Sequence, residues 1–460
     1  MTYLPAPSEV DERILAYRAE MVRQGMLFGE LWRTYREYQD RRDDPGSLRE
    51  LGTSRMSAVL RHAVSNVPAY RELGIAVDSD DPYLTLAAFP LVTKVEISAG
   101  TGDYCDDDID PARCWSLDTS GTTGQPLRVI RDFDHITHQY ALMLRRSTDL
   151  GLPADRKILH PYHSNLDRWF EYTSPLYGLA RIAEFGAAGA EAYWAEIVER
   201  IRGYRPDVVM GHPTLCVKLC DLLDNPGPVR PALVHTWGER ITPGMVRRLT
   251  EFFGAQVRDT YGLREVGPVA AQCERSAYHV DAERLYVEVV DESGHPVPDG
   301  ESGEIVVTNL INRAMPLIRY RTGDVGALGG GCDCGAPQPV MRLVEGREPG
   351  VLVLPGGDTV PVMPVFRTLQ RYPVRQYQVV QVATDEVRLV VLPDPEWTGA
   401  DAEQLRDEVT RAVGGRARVT VDSSGTFEVS GARKATDFVS LLPDSVRVAP
   451  DAATPLVPPV

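Results

Sequence analysis

The chain has no uninterrupted run of about 18 apolar residues, so no segment reads as a membrane-spanning helix. Its opening, MTYLPAPSEVDERIL, lacks both a basic start and an apolar signal core, and the expectation is a cytoplasmic protein with no membrane partner. Cysteine is sparse. Seven in 460 residues, an odd number thinly spread, make no disulfide framework. Basic residues are outnumbered as well, 49 against 65 acidic ones, and the formal charge of -16 repels phosphate polymers over most of the surface. Nucleic acid is therefore excluded as a main partner.

What is present describes a folded chain long enough for two or three domains, since 43% apolar and 25% charged residues match ordinary globular composition. Helical spacing of Ile14, Leu15, Tyr17, Met21, Leu27 and Leu31 predicts a helical segment over 8–42. A second helix, from Leu48 to Val64, stops at the Asn66-Val67-Pro68 turn. From about 115 to 330, short apolar strands (Lys157 to Leu159, Val208 to Met210, Leu233 to Thr236, Gln256 to Arg258) alternate with helical stretches. That alternation predicts an α/β body with mixed and largely parallel sheets. LYVEVV and EIVVTNL, between 283 and 309, read as two strands joined by a turn-rich connection. After residue 345 the pattern changes to QYQVVQV, EVRLVVLP, a charged helix over 400–413, RVTV and TFEVS. A small α+β domain over 346–440 and a Pro-rich tail over 441–460 follow.

The most informative string is Asp118-Thr119-Ser120-Gly121-Thr122-Thr123-Gly124-Gln125-Pro126, ahead of a helix beginning near Asp132. Its glycines allow close backbone approach to a phosphate and its hydroxyls supply donors. Read alone, it is equally an ordinary surface turn. It lacks the Gly-Lys-Ser/Thr ending of a Walker loop, which removes P-loop NTPases from consideration.

In sequence order it is followed by Asp259-Thr260-Tyr261-Gly262-Leu263-Arg264-Glu265, Arg319-Tyr320-Arg321-Thr322-Gly323-Asp324 and Gly346-Arg347. This series resembles the AMP-forming superfamily of acyl-CoA synthetases, adenylation domains and luciferases. The strings RHAVSNVPAYR (61–71) and FPLVTKVEI (89–97) are similar to its phenylacetate-CoA ligase-like branch, and the likeness spans about 50 to 440.

The resemblance implies a large N-terminal ATP- and acyl-binding domain over 1–345 with a small, mobile C-terminal domain. ATP and a carboxylate would form an acyl adenylate, and a thiol, from CoA or a carrier protein, would displace AMP. By similarity, Ser120, Gly121, Thr122, Thr123 and Gly124 hold the phosphates, Glu265 ligates Mg2+, and Tyr261 stacks on adenine. Gly238, Glu239, Asp259 and Gly262 line the nucleotide pocket, Asp324 takes the ribose hydroxyls, and Arg347 meets the nucleotide at the domain junction. Tyr162, His163, His212 and Trp237 are candidates for the acyl pocket, whose aromatic walls suit an aromatic acid.

The chain departs from the family at three places. Glu348-Pro349-Gly350 stands where relatives carry acidic hinge residues. Arg264 occupies a position often Thr or Ser, and either adds anion stabilisation beside the nucleotide or salt-bridges a neighbouring carboxylate. Ala432, in Ser430-Gly431-Ala432-Arg433-Lys434, sits where a catalytic lysine is expected. Lys434 either reaches the site on its long stem or is a solvated surface lysine. Two alternatives stay open: a specialised adenylating enzyme forming an amide or other N-linked product, or activating an oxyanion such as nitrite, and a catalytically weak nucleotide-binding scaffold.

Cys332-Asp333-Cys334 lies in a glycine-rich loop, with Cys273 and His279 some 55 residues upstream. Thiolate and imidazole suit a tetrahedral Zn2+, and relatives on this branch have a similar arrangement, which implies a structural clamp for the 283–309 hairpin. Cys216 and Cys220, spaced i, i+4 among apolar residues, read as core. The oligomeric state is left open.

Overall fold

A computed structural model describes residues 30–41, 43–78, 80–110, 114–118, 127–152, 155–162, 169–174, 177, 180–186, 191–345, 351–369, 371–424, 427 and 438–443. Two compact units divide the chain, Met1–Ile241 with Arg248–Arg347, and Thr242–Arg247 with Glu348–Val460.

In the larger unit, helix α1 is Leu31–Arg41 and α2 is Pro45–Asn66. Proline at the first turn and the Asp44 carboxylate, which accepts from the Gly46 amide, start α2. Helix α3, Phe133–Asp149, is capped by Asp132, whose side chain accepts from the His135 amide at 2.7 Å. Leu31 and Tyr38 of α1 pack on Ala141 and Leu142 of α3. The expected N-terminal helical segment is thus described only in its last third, residues 1–29 lying outside the described part.

Strands β1 (Cys114–Asp118) and β2 (Arg128–Asp132) form an antiparallel pair flanking the Ser/Thr/Gly string. A strand therefore stands between that string and α3. The main sheet has 12 strands in the order β11-β12-β13-β14-β10-β9-β8-β7-β6-β3-β5-β4. Its parallel half comprises β3 (Lys157–Tyr162), β5 (Ala180–Gly186), β6 (Val208–Gly211), β7 (Leu233–Trp237) and β8 (Gln256–Leu263), with β4 (Trp169–Ser174) antiparallel at the edge. β3, β5 and β6 are buried along almost their whole length, as expected where both faces of a parallel sheet are covered. The other half, antiparallel, holds β9 (Gly267–Gln272), β10 (Tyr278–Val280), β11 (Leu285–Val290), β12 (Gly303–Asn309), β13 (Tyr320–Leu328) and β14 (Val340–Glu345). The expected 283–309 strand pair is β11 and β12, hydrogen-bonded from Leu285↔Asn309 to Val290↔Glu304.

The strand order reverses at β3, which pairs with β5 on one side and β6 on the other. In open α/β sheets ligands bind outside the carboxyl ends of strands at such a switch point. Here those ends carry Tyr162, Gly186, Gly211 and Trp237.

The smaller unit has a two-stranded hairpin, β15 (Val351–Val353) with β16 (Thr359–Pro361), and a four-stranded sheet. Its order is β19-β18-β17-β20, for β17 (Val374–Ala383), β18 (Glu386–Pro393), β19 (Arg418–Asp422) and β20 (Phe438–Ser440). Helix α4, Gly399–Ala412, starts at a reciprocal Thr398–Asp401 capping box and buries Leu405 and Val409. TFEVS lies almost wholly outside the described residues, as does 444–460. No helix among the described residues is long and apolar enough to cross a membrane.

Candidate active site

The turn after β7 needs glycine. Gly238 has φ +80, and a Cβ there would come within 3.2 Å of His212 Nε2. Next to it, Glu239 Oε1 lies 3.2 Å from His212 Nδ1 and Oε2 accepts from the Thr214 hydroxyl at 2.6 Å. Burial pushes the Glu239 carboxyl up, but the bond and charge of His212 and the Thr214 donors outweigh it, so the group ends below its ordinary value.

Strand β8 carries Asp259 and Tyr261. The Asp259 carboxylate accepts from Thr236 Oγ1 at 2.5 Å and from the Tyr278 phenol at 2.7 Å. Burial still prevails and pushes its pKa up to about 6. Tyr261 donates to Asp324 Oδ2 at 2.6 Å, while the Asp324 amide donates to Thr322 Oγ1 at 3.0 Å across the Gly323 turn. Burial first, then the carboxylates of Asp324 and Glu265, drives the Tyr261 phenol well above its ordinary pKa. Gly262 is required by packing, since a Cβ would sit 2.9 Å from the Gly267 carbonyl oxygen.

Glu265 follows, 5% exposed, with the Tyr320 hydroxyl 3.2 Å from its Oε1. Among the described residues Arg264 makes no ion pair with a carboxylate. Its guanidinium donates to the Asp118 carbonyl oxygen at 2.7 Å, and its own carbonyl accepts from Arg131. This arginine therefore ties the β8–β9 turn to the end of β1, where the Ser/Thr/Gly string begins.

The structure thus gathers Gly238, Glu239, His212, Trp237, Asp259, Tyr261, Gly262, Glu265 and Asp324 along one region of the large unit. Tyr162 closes β3, 6% exposed, its ring 6.2 Å from that of His160. Ser120, Gly121, Thr122, Thr123, Gly124, His163, Arg347, Ala432 and Lys434 lie outside the described residues. Sequence reasoning missed Thr236, Tyr278 and Tyr320, which hold the acidic groups in place. It also missed Glu184, whose signal was a lone carboxylate in the otherwise apolar run IAEFG.

Cys273, His279, Cys332 and Cys334 converge, one ligand atom from each lying within 4.8 Å of the others. Cys273 Sγ is 3.6 Å from Cys332 Sγ, and Cys334 Sγ is 3.3 Å from His279 Nε2. Sulfurs bound at about 2.3 Å to a tetrahedral ion sit about 3.8 Å apart, so the set could hold a metal. His279 Nδ1 faces the Gln338 carbonyl oxygen at 3.2 Å, which leaves Nε2 free to ligate. The cluster joins the β9–β10 turn to the β13–β14 connection. The β11–β12 pair, expected to be clamped, contributes no ligand, because the fold places the two cysteine-bearing turns side by side instead. Cys216 and Cys220 are buried in the helix Pro213–Leu223, as the i, i+4 spacing predicts.

A family model described as AMP-binding enzyme matches residues 106–310. The chain is 29% identical over 345 residues to the phenylacetate-coenzyme A ligase of Escherichia coli (strain K12), covering 68% of this chain and 74% of that one. To the enzyme of the same name from Aromatoleum evansii it is 27% identical over 412 residues, covering 81% and 90%. A crystal structure of 2-hydroxyisobutyryl-CoA ligase in the postadenylation state matches with a TM-score of 0.67 at 21% identity, over 87% of this chain and 91% of that one, a likeness of fold. In fold and in the order of its motifs the chain is similar to adenylate-forming enzymes. The curated relatives it matches in sequence are phenylacetate-CoA ligases, to which it is similar over 68 to 81% of its length.

Proposed function

We propose that the protein is an ATP-dependent, AMP-forming acid–thiol ligase, which activates a carboxylic acid as its acyl adenylate and passes the acyl group to CoA. The observation that carries this reading is the Tyr261–Asp324 pair at 2.6 Å beside buried Glu265, two separate motifs meeting where adenosine and phosphate must be held together. Asp324, already oriented by Tyr261, presents its carboxylate to the ribose hydroxyls. The tight turn at Gly238 leaves room for the base and the reacting carboxylate. Ser120 to Gly124 supply backbone and hydroxyl donors suited to the phosphates.

Glu265 is the group that would hold Mg2+, an ion that offsets the charge gathering on the phosphates when bound. Lys434 supplies the cation missing at Ala432, and the small domain over 346–440 turns about the Gly346-Arg347 junction between adenylation and thioester formation. Zn2+ is the metal suited to the Cys273, His279, Cys332 and Cys334 set, where three thiolates and one imidazole favour a closed structural site. The substrate class is an aromatic acid, supported by the ring contacts of Trp237 with His160 at 5.4 Å and with His235 at 5.7 Å. Free thiols at Cys216 and Cys220 suit a reducing compartment, the cytoplasm.

Pyrophosphate release measured across aryl acids, with and without CoA, tests the reading. Acid-dependent release with acyl-CoA formation is the expected result. Release only when an amine or nitrite is added points to the N-linked or oxyanion chemistry, and ATP binding without turnover points to a scaffold.

A further inference from the structure

Strand β5 buries a carboxylate that the reaction described above does not use. Glu184 is 3% exposed and stands opposite His160 of β3 in the parallel ladder. Its Oε1 accepts from the Tyr172 hydroxyl at 2.8 Å and lies 3.4 Å from His160 Nδ1. Its Oε2 has no hydrogen-bond partner among the described residues. A carboxylate oxygen left bare in the interior costs more than an exposed one, and such a group calls for a donor that is present in the working state.

The surroundings say where that donor comes from. The His160 ring lies 5.4 Å from that of Trp237, tilted by 53°, and Trp237 directly precedes the Gly238 turn. Ile158, two residues before His160 on the same face of β3, lines a cavity of about 40 Å3 together with Met143 of α3, Tyr177, Met210 and His235. Tyr177 is close enough to feel both Tyr172 and Glu184 electrostatically. Glu184 therefore shares the sheet face that this cavity meets, beside Tyr172 and Tyr177 and next to the switch point at β3, without itself lining the cavity.

We infer that Glu184, oriented by Tyr172 and His160, is the specificity-determining acceptor for acids that carry a hydrogen-bond donor, a hydroxyl or amino substituent, at the end remote from the carboxyl group. The inference rests on the ligase reading above and names its substrate class more narrowly. A donor-bearing acid gives Oε2 its missing bond, whereas a methyl-bearing acid of the same shape seals Oε2 away from water without one.

The test is kcat/KM for pyrophosphate release with matched aryl acids, hydroxy or amino against methyl at the same ring position. The expected ratio in favour of the donor-bearing acid is about 10- to 100-fold, the range for a hydrogen bond to a charged group. In Glu184→Gln the ratio falls toward one, and a ratio taken within one variant is insensitive to the fraction folded. Should that variant not fold, Tyr172→Phe takes its place: loss of the orienting hydroxyl shifts the ratio at least threefold, and an unchanged ratio overturns the inference. Turnover of both acids with equal kcat/KM in the wild type, or an unchanged ratio in Glu184→Gln, overturns it while leaving the ligase reading intact. ATP binding with no release for any acid overturns both.

Discussion

Tyr261 and Asp324, from β8 and β13, share a hydrogen bond of 2.6 Å that leaves Oδ1 of the aspartate as the oxygen not engaged by the phenol. The phenol fixes the carboxylate's orientation before any ligand arrives, and an acceptor held in advance loses less freedom on binding. Removal of Asp324 by alanine is expected to lower kcat/KM for ATP by about 100-fold or more, the loss of charge-assisted bonds to two hydroxyls. Tyr261→Phe keeps the ring and loses only the orienting bond, so a drop of about 3- to 10-fold is expected. Steady-state kinetics with varied ATP decide it, and equal effects in the two variants contradict the division of labour.

Arg264 holds the end of β1 at Asp118, the first residue of the proposed phosphate string. Because its guanidinium bonds a backbone carbonyl 2.7 Å away, Arg264→Ala is expected to raise KM for ATP about 10- to 100-fold, the cost of one lost charged bond. Arg264→Lys offers a point charge without the planar fork and is expected to recover only part of it. A change confined to KM for the acid contradicts this role.

Asp259 gives the stability a defined pH dependence. Its carboxyl titrates near 3.9 when unfolded and at about 6 in the fold. The folded state therefore binds this proton more tightly, so the stabilisation is complete below about pH 4 and is lost as pH rises through about 6. The loss amounts to about 3 kcal/mol. Thermal melts of wild type and Asp259→Asn between pH 4 and 7 check it: the difference in Tm, wild type minus variant, is expected to fall across that window, and a flat difference rejects the shift.

Metal analysis of protein purified without chelators is expected to return about one equivalent of zinc per chain. Cys334→Ser removes a ligand and is expected to lower Tm by several degrees. Less than half an equivalent of zinc, or an unchanged Tm after the metal is stripped, contradicts a structural ion.

Much of this protein was readable along the chain because the chemistry concerned is local. Apolar runs such as Val208–Gly211, flanked by turn residues, read as buried strands, Asp44-Pro45 and Asp132 start helices within their own first turns, and Gly262 meets a backbone demand set by nearby Gly267. The order of the motifs was likewise a property of the chain.

Pairings between distant strands were not. The bond from Tyr261 to Asp324, the burial of Glu184 between His160 and Tyr172, the strap from Arg264 to Asp118, and the convergence of the cysteines on β9–β10 and β13–β14 all depend on strand order and register. Register is set by how whole faces of a sheet bury against the core, a condition spread over the entire domain, so no short stretch of residues encodes it.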